Sequence, residues 1–291
     1  MNYKISSEKL NLTVSTKGGE MQSIKTCDGT EYLWQGDHNT WPDHAPNLFP
    51  YIGRLNNKTY EYKGKQYSLD IHGFLPNEEM ELIDKNTNEL MFKINDNEKL
   101  RTMYPFRFEY LLHYKVEDTK IIITYQVHNQ DDKTMYFGIG GHPGFNVPLE
   151  NHLNFEDYLL EFSSPCNPYR VTFSEKCFVT GENEPYALEN KFELPLSHDM
   201  FDEDALVLHN TAKEITLKSK KGTKSVKVSF PEMKYIGFWH WPKTAVNYVC
   251  IEPWSSLPAR EDIIENLETQ KNLISLDAGK TYTNTWTIEI I

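Results

Sequence analysis

Apolar and polar residues alternate with a period of two along most of this chain. Leu10-Asn11-Leu12-Thr13-Val14-Ser15, Glu89-Leu90-Met91-Phe92-Lys93-Ile94, Phe106 to Tyr114, Lys120 to Val127 and Thr281 to Ile290 all follow that rhythm. Successive side chains of a strand point to opposite faces, so this period predicts strands with one face buried. Turn residues punctuate the runs. Tyr60 to Leu69 folds back at Lys63-Gly64, and the stretch from Thr216 to Phe230 turns at Lys221-Gly222, so both predict hairpins. Two runs are apolar throughout, Tyr235 to Trp241 and Tyr248 to Glu252, and predict central strands covered on both faces. The 3.6-residue period is weak everywhere. Its best stretches are short, near Leu48 to Leu55 and from Arg260 to Thr269, and predict short helices. Many strands, few helices and no βαβ alternation predict an all-β antiparallel sandwich. With no low-complexity linker and no internal repeat, one domain over residues 1–291 is the expected organisation.

Composition narrows the function. Forty-two acidic residues against 30 basic ones leave a net charge of −12, which argues against a nucleic-acid partner that would need a basic patch. Four cysteines, Cys27, Cys166, Cys177 and Cys250, show no CxxC pair and no metal-ligand spacing. They read as free thiols, and the expectation is that the protein binds no metal. The first ten residues lack an apolar signal core, and no run reaches the ~20 apolar residues of a membrane-spanning helix. The expectation is a cytoplasmic protein without a membrane partner.

Four segments set polar groups among apolar, Gly and Pro residues. Phe49-Pro50-Tyr51-Ile52-Gly53-Arg54 ends in an arginine able to point a forked donor into a pocket or to hold its own loop. Asp70-Ile71-His72-Gly73-Phe74 places a histidine at an expected strand end. Gly140-Gly141-His142-Pro143-Gly144-Phe145-Asn146 delivers a second histidine after an apolar run, between glycines and a proline. Such an imidazole suits proton transfer, or equally packs in a turn. Tyr248 to Trp254 carries Glu252 in an apolar strand, where desolvation raises a carboxyl pKa and suits a general base. His240, in Phe238-Trp239-His240-Trp241, fits a packed core edge better than a ligand. No HxH, HxxxH or HExxH spacing, GxSxG elbow or Gly-rich phosphate loop occurs.

Gly53-Arg54, His72-Gly73, His142-Pro143-x-Phe145-Asn146 and Glu252, in that order, resemble the pattern of the aldose 1-epimerases, the mutarotase family. Phe49 to Arg54, Ile71 to Phe74 and Asp204-Ala205-Leu206-Val207-Leu208 are similar to its LacX-type branch. The resemblance implies a galactose mutarotase-like β-supersandwich, a monosaccharide bound in a cleft across one sheet, and anomer interconversion without a cofactor. It implies Glu252 as general base, protonated His142 as general acid, and Arg54, His72 and an aspartate on sugar oxygens. The aspartate is placed at Asp204, with Asp202 as the alternative. The protein is expected to act as a monomer or homodimer. Gly144 departs from the pattern, since many mutarotases carry an aromatic residue there, and Pro253-Trp254-Ser255-Ser256 differs from the galactose-active members. Two other functions stay open on the residues: sugar binding without catalysis, and a sugar-phosphate mutarotase, for which no basic cluster is evident. A glycoside hydrolase fits less well, because it needs two carboxylates flanking the bond.

Overall fold

The computed structural model describes residues 1–291. Two large sheets carry the architecture. The first has nine antiparallel strands in the order Glu193–Pro195, Tyr158–Phe162, Glu214–Ser219, Val226–Ser229, Thr281–Ile290, Lys120–Asn129, Phe108–Glu117, Glu89–Asn95 and Glu81–Lys85. The second runs Val179–Pro185, Tyr169–Phe173, Leu206–His209, Tyr235–Trp239, Tyr248–Trp254, Gly140–Gly141 and Asn47–Leu48, with Gly144–Asn146 also paired to Tyr248–Trp254. Strict alternation of buried and part-exposed residues along Phe108–Glu117 and Lys120–Asn129 matches the period-two pattern. Both hairpins form. Thr59–Tyr62 pairs antiparallel with Lys65–Ser68, and Lys63 and Gly64 both take positive φ in the connecting turn. Glu214–Ser219 pairs with Val226–Ser229.

The sheets pack face to face around a core that draws apolar residues from both, among them Ile123, Tyr125, Trp286, Phe145, Val249 and Ile251. The aromatic ring of Trp286 fills the space where Gly141 lacks a side chain, since a Cβ there would lie 2.6 Å from it. The central strand Tyr248–Trp254 is buried at every residue. Val249 and Ile251 point into the inter-sheet core, while Tyr248, Cys250, Glu252 and Trp254 point to the other face, which covering loops close.

The predicted helices do not form. In 48–55, a cis Phe49–Pro50 bond and Gly53 at φ +69° hold an irregular, mostly buried loop, followed by a single 3₁₀ turn at Asn56–Lys58. In 260–269, Asp262 takes φ +55°, and Glu265–Asn266 pairs in parallel with Thr59–Tyr62 instead of closing helical bonds. The α-helix that does form, Glu98–Met103, is six residues long. Asn97 caps it by accepting a 2.9 Å hydrogen bond from the Leu100 amide, a signal its weak period hides.

Candidate active site

A cavity of about 270 Å³ opens on the covered face of the eight-stranded sheet, and Arg54, His72, His142, Asp204 and Glu252 all line it. Residues from five separate stretches of chain meet there because the central strand supplies the floor and loops supply the walls.

Glu252 stands inside the strand, fully inaccessible to solvent, paired across the ladder with Gly237. Neither of its carboxyl oxygens has a hydrogen-bond partner. Burial, reinforced by the Asp204 carboxylate, pushes its pKa well above the usual carboxyl range. His142 lies between two short strands, Gly140–Gly141 and Gly144–Asn146. Its amide donates to the Pro46 carbonyl at 2.9 Å, and the Ile251 amide donates to the Pro143 carbonyl at 3.1 Å, which fixes the segment between loop and central strand. His142 Nε2 is 3.1 Å from Glu252 Oε2, without the alignment of a hydrogen bond, and Nδ1 is buried and unpartnered. Burial lowers the His142 pKa to about 4. Burial thus works against charge on both groups, the imidazolium and the carboxylate alike.

His72 is set in a turn at φ +63° rather than at a strand end. Its amide donates to the Gly53 carbonyl at 3.0 Å, and its Nδ1 accepts from the Gly53 amide at 3.2 Å. That bond puts the ring proton on Nε2. Burial, then the neighbouring His142 and Arg54, hold it well below its ordinary pKa, so it is a neutral donor. Gly73, which follows, cannot be replaced without collision, because a Cβ would stand 2.3 Å from the Phe49 carbonyl oxygen. The two histidine rings meet edge to face with centroids 5.4 Å apart.

At the rim, Arg54 Nη1 donates to Asp204 Oδ2 at 3.0 Å. Burial works against the guanidinium charge, but the Asp204 carboxylate outweighs it and raises the Arg54 pKa. Asp204 takes φ +83° two residues before the strand Leu206–His209 begins. The alternative, Asp202, does not line the cavity and accepts a backbone hydrogen bond from Lys243 at 3.1 Å. His240 is fully buried outside the cavity, its Nδ1 against the Trp241 carbonyl and its Nε2 against His198.

Sequence reasoning missed the aromatic walls. Trp41 lies 5.0 Å from the His142 ring, and Trp239 packs edge-on to it at 5.6 Å. Trp241 and Trp254 complete the enclosure. Trp41 comes from a long loop with no periodic signal, held down by Glu20, whose Oε1 accepts from the His44 and Ala45 amides at 2.8 and 2.9 Å. Trp239 and Trp241 were visible as a cluster around His240, on the opposite alternation from it. A deep pocket with indole walls, a buried carboxyl and imidazole and donors at the rim suits a polyhydroxylated ring with apolar faces.

Such a fold and pocket define an antiparallel β-sandwich with an aromatic-walled cleft on one sheet. Over residues 1–286 the chain matches the aldose 1-epimerase family, and it belongs to that family. It is 32% identical to the plasmid-borne protein LacX of Lactococcus lactis subsp. lactis over 96% of this chain and 97% of the relative. The structure superimposes on a galactose mutarotase related enzyme from Lactobacillus acidophilus with a TM-score of 0.95 at 32% identity, covering 100% of this chain and 97% of that one. A galactose mutarotase-like protein from Lactobacillus casei gives 0.94 at 28% identity, with both chains fully covered. An aldose epimerase homologue from C. elegans, 16% identical, shares the fold at a TM-score of 0.76. No helix is long and apolar enough to cross a membrane.

Proposed function

We propose that this protein is an aldose 1-epimerase that interconverts the α and β anomers of a neutral free monosaccharide, with Glu252 and His142 as the proton-transfer pair. The observation that carries this is a single one: a buried carboxyl and a buried imidazole, 3.1 Å apart, on the floor of a sugar-sized pocket.

Mutarotation removes the proton from the anomeric hydroxyl and adds one to the ring oxygen; the C1–O5 bond breaks, the aldehyde turns, and reversed transfers close the ring. The pair needs one proton between its two members. In the free site that proton rests on Glu252, because burial disfavours both charges. A bound sugar changes the balance. Its hydroxyls donate to the carboxyl oxygens that have no partner in the free protein, and donors to a carboxylate favour its charged form. The proton can then pass to His142 Nε2 over the short gap, which leaves Glu252 as base toward O1 and His142 as acid toward O5. Each group is expected to supply ~10²–10⁴-fold of rate. His72 Nε2–H, Arg54 and Asp204 would hold sugar oxygens. The Trp41 and Trp239 rings offer apolar surfaces for the C–H faces of the ring.

A neutral substrate is favoured over a sugar phosphate by the charge of the lining. Arg54 is its one cation, already committed to Asp204, and Asp43, Asp204 and Glu252 are acidic. The test is a panel of aldoses and aldose phosphates, with anomer exchange followed by NMR. Accelerated exchange of at least one neutral aldose is expected. Binding of a sugar without faster exchange would make the protein a sugar sensor and refute the catalytic assignment.

A further inference from the structure

Cys250 has no part in the mechanism above, yet it stands two residues before Glu252 on the same face of the central strand, behind Trp41 and Tyr248. One sulfur, one ring nitrogen of His142 and one oxygen of Glu252 lie within 4.8 Å of one another. Cys250 and Glu252 are completely buried. Both Glu252 oxygens and His142 Nδ1 lack partners, so the lone pairs that a cation would use are not committed elsewhere.

We infer that His142, Cys250 and Glu252 form a three-ligand site for a borderline-soft divalent cation, zinc above all, and that its occupancy shuts the enzyme off. The donor set decides the class of ion. One thiolate, one imidazole and one carboxylate suit zinc, whereas magnesium and calcium take sets made of oxygen. Ligand atoms around a tetrahedral zinc stand about 3.5 Å apart, so the trio must draw in by roughly an ångström. His142 and Glu252 line the cavity, so water from it would complete the shell. On binding, the thiol S–H bond breaks heterolytically. Its proton, with the one shared by the carboxyl–imidazole pair, passes to buffer. Lone pairs on sulfur, oxygen and nitrogen form the bonds to the ion, and nothing is oxidised or reduced. Inhibition follows because the metal occupies the two groups that must exchange protons with the sugar. That consequence rests on the mutarotase assignment; the binding itself does not.

The experiment uses the purified full chain titrated with Co²⁺ as a spectroscopic stand-in for zinc, then with Zn²⁺ in competition. The wild type is expected to take one equivalent, with thiolate-to-cobalt charge-transfer absorption and the intense visible bands of a four-coordinate ion. Cys250→Ala is expected to lose the charge-transfer band and, since even outer-shell changes cost 10–100-fold, to weaken Zn²⁺ binding by about 100-fold or more. Cys177→Ala, which removes the thiol at the pocket mouth, is expected to keep the band. Cys250→Ser serves if the alanine variant does not fold, and Glu252→Gln should weaken binding while retaining the thiolate band. A wild type without the band, or a band that persists in Cys250→Ala, overturns the site. In the activity arm, micromolar Zn²⁺ should inhibit anomer exchange in competition with the aldose, with recovery on chelation, and Cys250→Ala, measured against its own metal-free rate, should resist zinc. Should no sugar be turned over at all, the cobalt spectrum still decides the metal site separately.

Discussion

The floor and the rim of the pocket are built on opposite terms. On the floor, Glu252 and His142 are buried with polar atoms unpartnered, and burial pushes the carboxyl pKa up and the imidazole pKa down. At the rim, Arg54 and Asp204 satisfy each other at 3.0 Å, with 44% and 23% of their side chains exposed. An unmet buried polar group costs about 1–3 kcal/mol, while an exposed ion pair is worth about 0–1 kcal/mol. The fold therefore concentrates its unfavourable terms at the pair proposed to move protons, and the rim proposed to hold the sugar carries few.

The largest effects should come from the floor. Glu252→Gln and His142→Asn are each expected to lower kcat by about 10²–10⁴-fold, with circular dichroism unchanged, in NMR anomer exchange. Near-wild-type exchange in either variant would erase the distinction between floor and rim. The pH profile is a second probe. With one proton shared by the pair, kcat/KM should be level through neutrality, fall on the acid side as His142 gains a proton near pH 4, and fall on the alkaline side only above the raised Glu252 value. An acid limb near pH 6.5, the ordinary histidine range, would contradict the burial-shifted pair.

Rim changes should act mainly on binding. Arg54→Ala and Asp204→Asn are expected to raise KM about 10-fold with a smaller change in kcat, and Asp202→Asn to change neither, since Asp202 only holds the Lys243 amide. A tenfold KM effect in Asp202→Asn would reassign the aspartate. The smallest expected effect is on stability. Glu252 has a folded pKa raised above its unfolded one, so its contribution is fully present below pH 4.5 and is lost as pH rises through the folded value. Removing that penalty should let Glu252→Gln melt roughly 2–4 °C above wild type at alkaline pH, and the gap should close toward pH 4.5. A constant gap across that window would mean that desolvation of the charge is not its cause.

Floor and rim also differ in how much of them the sequence disclosed. Period-two alternation exposed strands such as Lys120–Asn129 and the hairpin turns at Lys63-Gly64 and Lys221-Gly222, because one-sided burial writes itself directly into the pattern. It misplaced helices at 48–55 and 260–269, where positive φ at Gly53 and Asp262 and parallel pairing at Glu265–Asn266 prevailed over short apolar spacings. Glu252 could be read as a desolvated carboxyl from its apolar neighbours alone. Its distance from His142 could not, because the pairing register between strands far apart in the chain leaves no local trace. Trp41 was invisible for a related reason: the loop that carries it is positioned by Glu20, twenty-one residues upstream in the chain, and not by any period of its own.

Gly144 pairs with Cys250 on the central strand, and a Cβ there would stand 2.6 Å from the Trp41 ring and 3.3 Å from the Trp34 Cβ. The volume that a side chain at 144 would need is thus taken by an indole delivered from a distant loop. A side chain at 144 and the Trp41 ring exclude each other: Gly144→Ala alone should lose about 1–3 kcal/mol from overpacking, and Trp41→Ala alone should leave a void. Together the two changes should cost less than the sum of each alone, because removing the indole relieves the clash that the added methyl creates. A double-mutant cycle at 41 and 144 would read this coupling as a non-additive shift in Tm.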